Sequence, residues 1–262
     1  ATVYEKGAEV IGMLKRLVGE EGYRAALDLY FDRHDGHAAT IEDWLAVFEE
    51  ATGRDLAQFK LWYSQAGTPR VQVAETYENG TYRLTLSQRT PPTPGQADKA
   101  PVVIPVAMGL LTKEGKELVP TTVLELSEGS QSWTFERLPA RPVPSLLRGF
   151  SAPVILERET SSEERLVLLA HDTDPFNRWE AGRALAKDTL TRMVSADAAP
   201  GRDFLEALSR LAADDSLDPA FRALALRLPG QDDMAQTLHE SGVVPDPQRI
   251  WEATRALQEA IA

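Results

Sequence analysis

The 262-residue chain contains no cysteine and only four histidines. The first absence excludes a disulfide framework and any thiolate metal site, and it fits a reducing, cytoplasmic compartment. The scarcity of histidine narrows metal chemistry further. A hydrolytic zinc site takes three protein ligands and an open position for water, commonly His-Glu-x-x-His with a later carboxylate, and that spacing does not occur. His34-Asp35-Gly36-His37 sets two imidazoles across a turn-forming glycine with no third ligand in view. His239-Glu240 continues as Ser241-Gly242-Val243, a helix end, and His171 stands alone before Asp172. The expected set of metal ligands in this chain is therefore none. Positive charge is also short. With 28 Lys and Arg against 40 Asp and Glu the net charge is −12, which argues against a nucleic-acid partner because no basic stripe can offset phosphate repulsion. No run approaches the roughly 18 continuous apolar residues of a membrane span, and no basic segment leads into an apolar one as in a secretory leader. A Gly-x-Ser-x-Gly elbow, a phosphate-binding loop and a Gly-rich dinucleotide turn are missing as well.

What is present is strongly periodic. Up to about residue 69 the pattern is helical. Val10, Ile11, Leu14, Leu17 and Val18 recur at helical spacing, and Tyr23, Leu27, Tyr30 and Phe31 repeat it after a break between Gly19 and Gly22. Thr40 with Asp43 predicts a capped third helix, and Asp55 with Gln58 predicts a fourth that carries Phe59, Trp62 and Tyr63 and stops at Gly67 and Pro69. From Val71 the period falls to two, and Asn79-Gly80 between two alternating runs predicts a tight hairpin. Further strands are expected at 102–104, 106–111, 123–126, 133–135 and 154–156, giving a small antiparallel β-sandwich. After Ser161 the helical period returns. Asp174-Pro175, Asp218-Pro219 and Asp246-Pro247 each place a capping carboxylate before a proline suited to the first helical position. The carboxylate pairs Glu20-Glu21, Glu49-Glu50 and Asp214-Asp215 fall near helix ends and read as solvated charge.

Tyr4 opens the first helical stretch, in Tyr4-Glu5-Lys6-Gly7. A phenol that stays protonated can donate a hydrogen bond to a developing oxyanion, and a helix start adds positive potential. The same four residues resemble the tyrosine motif of the gluzincin zinc aminopeptidases. The likeness continues in order through Leu29-Tyr30-Phe31-Asp32-Arg33-His34-Asp35-Gly36, Trp62-Tyr63-Ser64-Gln65-Ala66-Gly67-Thr68-Pro69 and Leu86-Ser87-Gln88-Arg89-Thr90-Pro91. It covers essentially the whole chain and is strongest up to about Pro153.

The resemblance implies an α+β multidomain protein. Residues 1–69 would be the C-terminal helices of a thermolysin-like catalytic domain, 70–158 the β-sandwich, and 159–262 the first part of a helical superhelix, the start of an α-solenoid. It implies a zinc metalloaminopeptidase, a metallopeptidase of peptide catabolism that removes N-terminal residues from peptide substrates. A zinc-activated water, a glutamate base and a tyrosine oxyanion donor carry that chemistry. Of these only the tyrosine, Tyr4, matches here, with Glu5 as a candidate substrate contact. The zinc ligands, the base and the Gly-x-Met-Glu-Asn motif are expected upstream, in the rest of the parent chain, so this segment alone is expected to be inactive and to bind no zinc. The rival expectation is a stand-alone, non-catalytic interaction scaffold in which Tyr4 is merely structural.

Overall fold

The computed structural model describes residues 2–261, with side chains from Tyr4 onward. Ala1 and Ala262, the outer limits of the expected domains, lie outside the described residues. The chain opens with a π-turn, Thr2–Lys6, that runs directly into α1, Gly7–His34. Gly19 breaks α1 as its neighbours require: its φ of 76° and ψ of 171° are open to glycine and strained for any residue with a Cβ. On either side of the break Val10, Met13, Leu14 and Ala26 are buried. The next helix, α2 (Ile41–Thr52), has the expected capping box, with Thr40 and Asp43 satisfying each other's backbone N–H groups. Its Leu45, Val47 and Phe48 are buried, and Tyr23 packs its ring 5.4 Å from Phe48.

The fourth helix is much shorter than its sequence suggests. Only α3, Leu61–Ser64, is regular. Asp55 spends its carboxylate on the N–H of Ala57, two residues on, and so makes a turn rather than a cap. Gln58 does not reach back to Asp55. Its amide donates to the carbonyls of Pro101 and Ser127 instead, at 3.1 and 2.6 Å. Long-range bonding outcompetes the local signal.

The hairpin is as the spacing predicts. Strands β1 (Arg70–Glu78) and β2 (Thr81–Arg89) pair antiparallel, and both turn residues have positive φ, 48° at Asn79 and 79° at Gly80. The remaining strands are β3 (Ile104–Leu111), β4 (Glu117–Leu126), β5 (Ser130–Phe135), β6 (Val143–Leu146) and β7 (Ile155–Glu157). They form two sheets, ordered β5-β2-β1-β7 and β4-β3-β6. Two features depart from the sequence reading. Strand β7 runs parallel to β1, so the sandwich is not wholly antiparallel. Strand β6 carries a proline and only four residues, too short for periodicity to reveal, yet all four are buried. β3 is buried along its entire length, which is why it reads as an apolar run rather than an alternation.

The helical part comprises α4 (Ser162–His171), α5 (Pro175–Ala196), α6 (Arg202–Ala213), α7 (Pro219–Ala225), α8 (Gln231–Glu240) and α9 (Pro247–Ile261). All three Asp-Pro pairs cap as expected: Asp174 accepts from Asn177 N–H, Asp218 from Ala220 and Phe221, and Asp246 from Gln248 and Arg249. The far end of α4 is closed by a buried arginine. Arg178 donates to the carbonyls of Leu169 and Ala170, which the helix leaves unpaired, and burial pulls its pKa down. Phe204, Leu208, Leu211, Met234, Leu238, Ile250 and Leu257 fill the core of this part together with Leu185 and Leu190 from α5. Because one capping carboxylate serves two N–H groups, Asp218→Ala should lower stability by about 1 kcal/mol, whereas Asp218→Asn should lose far less. Urea unfolding followed by far-UV circular dichroism of the two variants checks this.

By contacts the chain divides into two units. One holds residues 1–109, 120–141 and 146–159; the other holds 110–119, 142–145 and 160–262. The first contains the N-terminal helices with most of the strand residues, and the second the helical array.

Candidate active site

Tyr4 lies in the π-turn, a rare element that recurs at functional sites. Its side chain is 86% exposed. Glu5 beside it is also exposed. Lys6 is not: its ammonium donates to the carbonyl of Gly67 at 2.9 Å and sits 5.9 Å from the centre of the Trp62 ring. Burial pulls the Lys6 pKa below its usual value. Trp62 is in turn fixed, 8% exposed, with its indole N–H donating to Val103 O at 2.8 Å. The turn therefore presents two polar side chains outward and one inward.

The residues around Gly67 form a dense set of side-chain to backbone bonds. Gln65 pairs with Ala100 in both directions, accepting from its N–H at 2.9 Å and donating to its carbonyl at 3.0 Å. Gln96 accepts from Ala66 N–H at 2.8 Å and donates to Ser64 O at 3.0 Å. The Lys99 ammonium is shared among Ala66 O, Thr93 Oγ1 and Gln96 Oε1, all within 2.9 Å. Gly67 itself has φ of 100°, and a Cβ there would come within 3.1 Å of Thr90. Sequence reasoning missed this network. Its only signal was two polar residues, Gln96 and Lys99, inside a proline-rich loop.

The histidines do not converge. His34 closes α1 with its ring 5.2 Å from Tyr30, and His37 follows in an exposed turn where its N–H bonds to His34 O. His171 and His239 fall in the last turns of α4 and α8. Among the described residues no group of three or more His, Cys, Asp or Glu side chains could hold a metal ion. The residues present do not fit a catalytic zinc. Nor is any helix of the described residues long and apolar enough to cross a membrane.

Residues 1–63 match the peptidase family M1 domain. Over these residues the chain is similar to peptidase family M1. Two further matches follow it: a domain of unknown function with an Ig-like fold over 67–159, and one with ARM repeats over 162–262. Among the relatives of the chain, aminopeptidase N of Caulobacter vibrioides is 46% identical over 266 residues and that of Escherichia coli 39% identical over 277. Each alignment takes in 100% of the chain, which spans only 30% and 31% of these relatives' lengths. The crystal structure of Legionella pneumophila aminopeptidase A in complex with aspartic acid superposes with a TM-score of 0.85 at 29% identity, covering 100% of this chain and 30% of the other.

Proposed function

We propose that this chain is part of a zinc metalloaminopeptidase that removes N-terminal residues from peptides, and that Tyr4 is its oxyanion donor. In this reading 1–69 are the last helices of the catalytic domain, 70–158 the sandwich and 159–262 the beginning of the superhelix. The observation that carries the reading is Tyr4-Glu5-Lys6-Gly7 at the π-turn that leads into α1, in a chain 46% identical to an aminopeptidase N. When the scissile carbonyl is attacked its oxygen gains negative charge, and the Tyr4 hydroxyl donates to that oxygen without ionising. Glu5, exposed at the next position, is the candidate contact to substrate. In this reading the metal and the base belong to other parts of the full-length protein; among the described residues no group of three or more His, Cys, Asp or Glu could hold a metal ion. The absence of cysteine supports a cytoplasmic setting. The scaffold alternative leaves the motif Tyr4-Glu5-Lys6-Gly7 without a reason.

The test compares residues 1–262 with the full-length protein. The shorter chain should neither hydrolyse aminoacyl arylamides nor retain zinc after dialysis, and the full-length protein should do both. One tightly held zinc on the shorter chain, lost on changing His34 and His37, would overturn the proposal.

A further inference from the structure

α1 has no side-chain cap hydrogen bond at its start, where Lys6 is already in helical geometry with φ of −63° and ψ of −35°. What ties the π-turn down is the Lys6 side chain itself. Its ammonium bonds to Gly67 O and stands over Trp62, at a distance where a cation is still attracted to the face of an indole. Both partners are themselves tied to the 93–103 loop. Gly67 follows Ala66, whose N–H and C=O are held by Gln96 and Lys99, and Trp62 is anchored to Val103. Lys6 thus couples the turn to a frame made by the residues around 64–67 and the loop 93–103. Tyr4 stands two residues earlier in the same turn.

We propose that Lys6 is the positioning residue for Tyr4: its bond to Gly67 O and its seat on Trp62 fix the π-turn and thereby the phenol. The proposal rests on the reading of Tyr4 as oxyanion donor. A hydroxyl that must meet an oxygen formed only at the transition state is sensitive to displacements of about 1 Å, whereas ground-state substrate binding is not. Losing Lys6 should therefore appear in kcat and spare KM.

The experiment is a double-mutant cycle in the full-length enzyme with Lys6→Met and Tyr4→Phe, assayed on aminoacyl arylamides with zinc content and melting temperature recorded. Lys6→Met keeps the length and apolar stem and removes the charge. It should lower kcat roughly 10- to 100-fold with KM and zinc content unchanged. In the Tyr4→Phe background the same change should have less than about a twofold effect, because the group it positions is gone. Equal losses in both backgrounds, or full kcat in Lys6→Met beside a slow Tyr4→Phe, would overturn the positioning role alone. Near-full kcat in Tyr4→Phe would overturn the oxyanion reading and this role with it. If Lys6→Met loses zinc or melts early, Lys6→Arg decides through the same cycle: a rate loss seen with Tyr4 in place and absent from the Tyr4→Phe background upholds the role, and equal losses end it.

Discussion

In the full-length protein, Tyr4→Phe is expected to lower kcat on the order of 10²- to 10³-fold, the loss typical of removing one oxyanion donor. KM and zinc content should stay near those of the parent. The expectation follows from what the change removes. Only the hydroxyl is lost, so the substitution deletes a donor without opening a large cavity. The ring remains, and the Lys6 bond to Gly67 that holds the turn is untouched. A fall in kcat and in kcat/KM by the same factor would identify an interaction made only at the transition state. A variant with near-full kcat and bound zinc would leave Tyr4 a structural residue only.

Local chemistry is what the sequence made legible. The capping box at Thr40, the three Asp-Pro caps, the positive-φ turn at Asn79-Gly80 and the break at Gly19 all depend on residues within four positions of one another, and each is found where the spacing puts it. Readings failed where a distant group won. Asp55 and Gln58 have capping-box spacing, but Gln58 gains two carbonyl acceptors more than forty residues away, and the helix shrinks to α3. β7 was legible as a strand but not in direction, because direction depends on how the chain returns to β1, not on its three residues. At the site the pattern divided the same way. Tyr4 was legible through its motif, while the function of Lys6 depends on Gly67 and Trp62, sixty-one and fifty-six positions further along the chain.

Glu75 shows a signal that was present in the pattern and unread. It falls in the same strand parity as Val71, Val73 and Tyr77, so a carboxylate stands where alternation calls for an apolar residue. The structure accounts for it. Its side chain is 9% exposed, and Arg158, itself 7% exposed, donates to it through Nε at 2.5 Å. The Tyr82 hydroxyl donates to the other oxygen at 2.9 Å, and Arg141 stands 3.9 Å away. Burial, with the neighbouring carboxylate, pushes the Tyr82 phenol well above its ordinary range, so it remains a donor at any pH the protein meets.

Removing one member of such a group costs more than the group contributes, because the remaining partners stay buried around the gap. Glu75→Ala should therefore destabilise the sandwich by about 3 kcal/mol or more. Glu75→Gln keeps the volume and an acceptor for Tyr82 and gives up the charge beside Arg158, so it should fall between Glu75→Ala and the parent. Urea unfolding gives the free energies. Amide exchange places them: protection should drop along β1 and β2, whose register sets Glu75 opposite Leu84, while α4 to α9 keep theirs. If Glu75→Ala unfolded within about 0.5 kcal/mol of the parent, the range of an ordinary surface substitution, the carboxylate would have to be solvated rather than clasped by Arg158 and Tyr82.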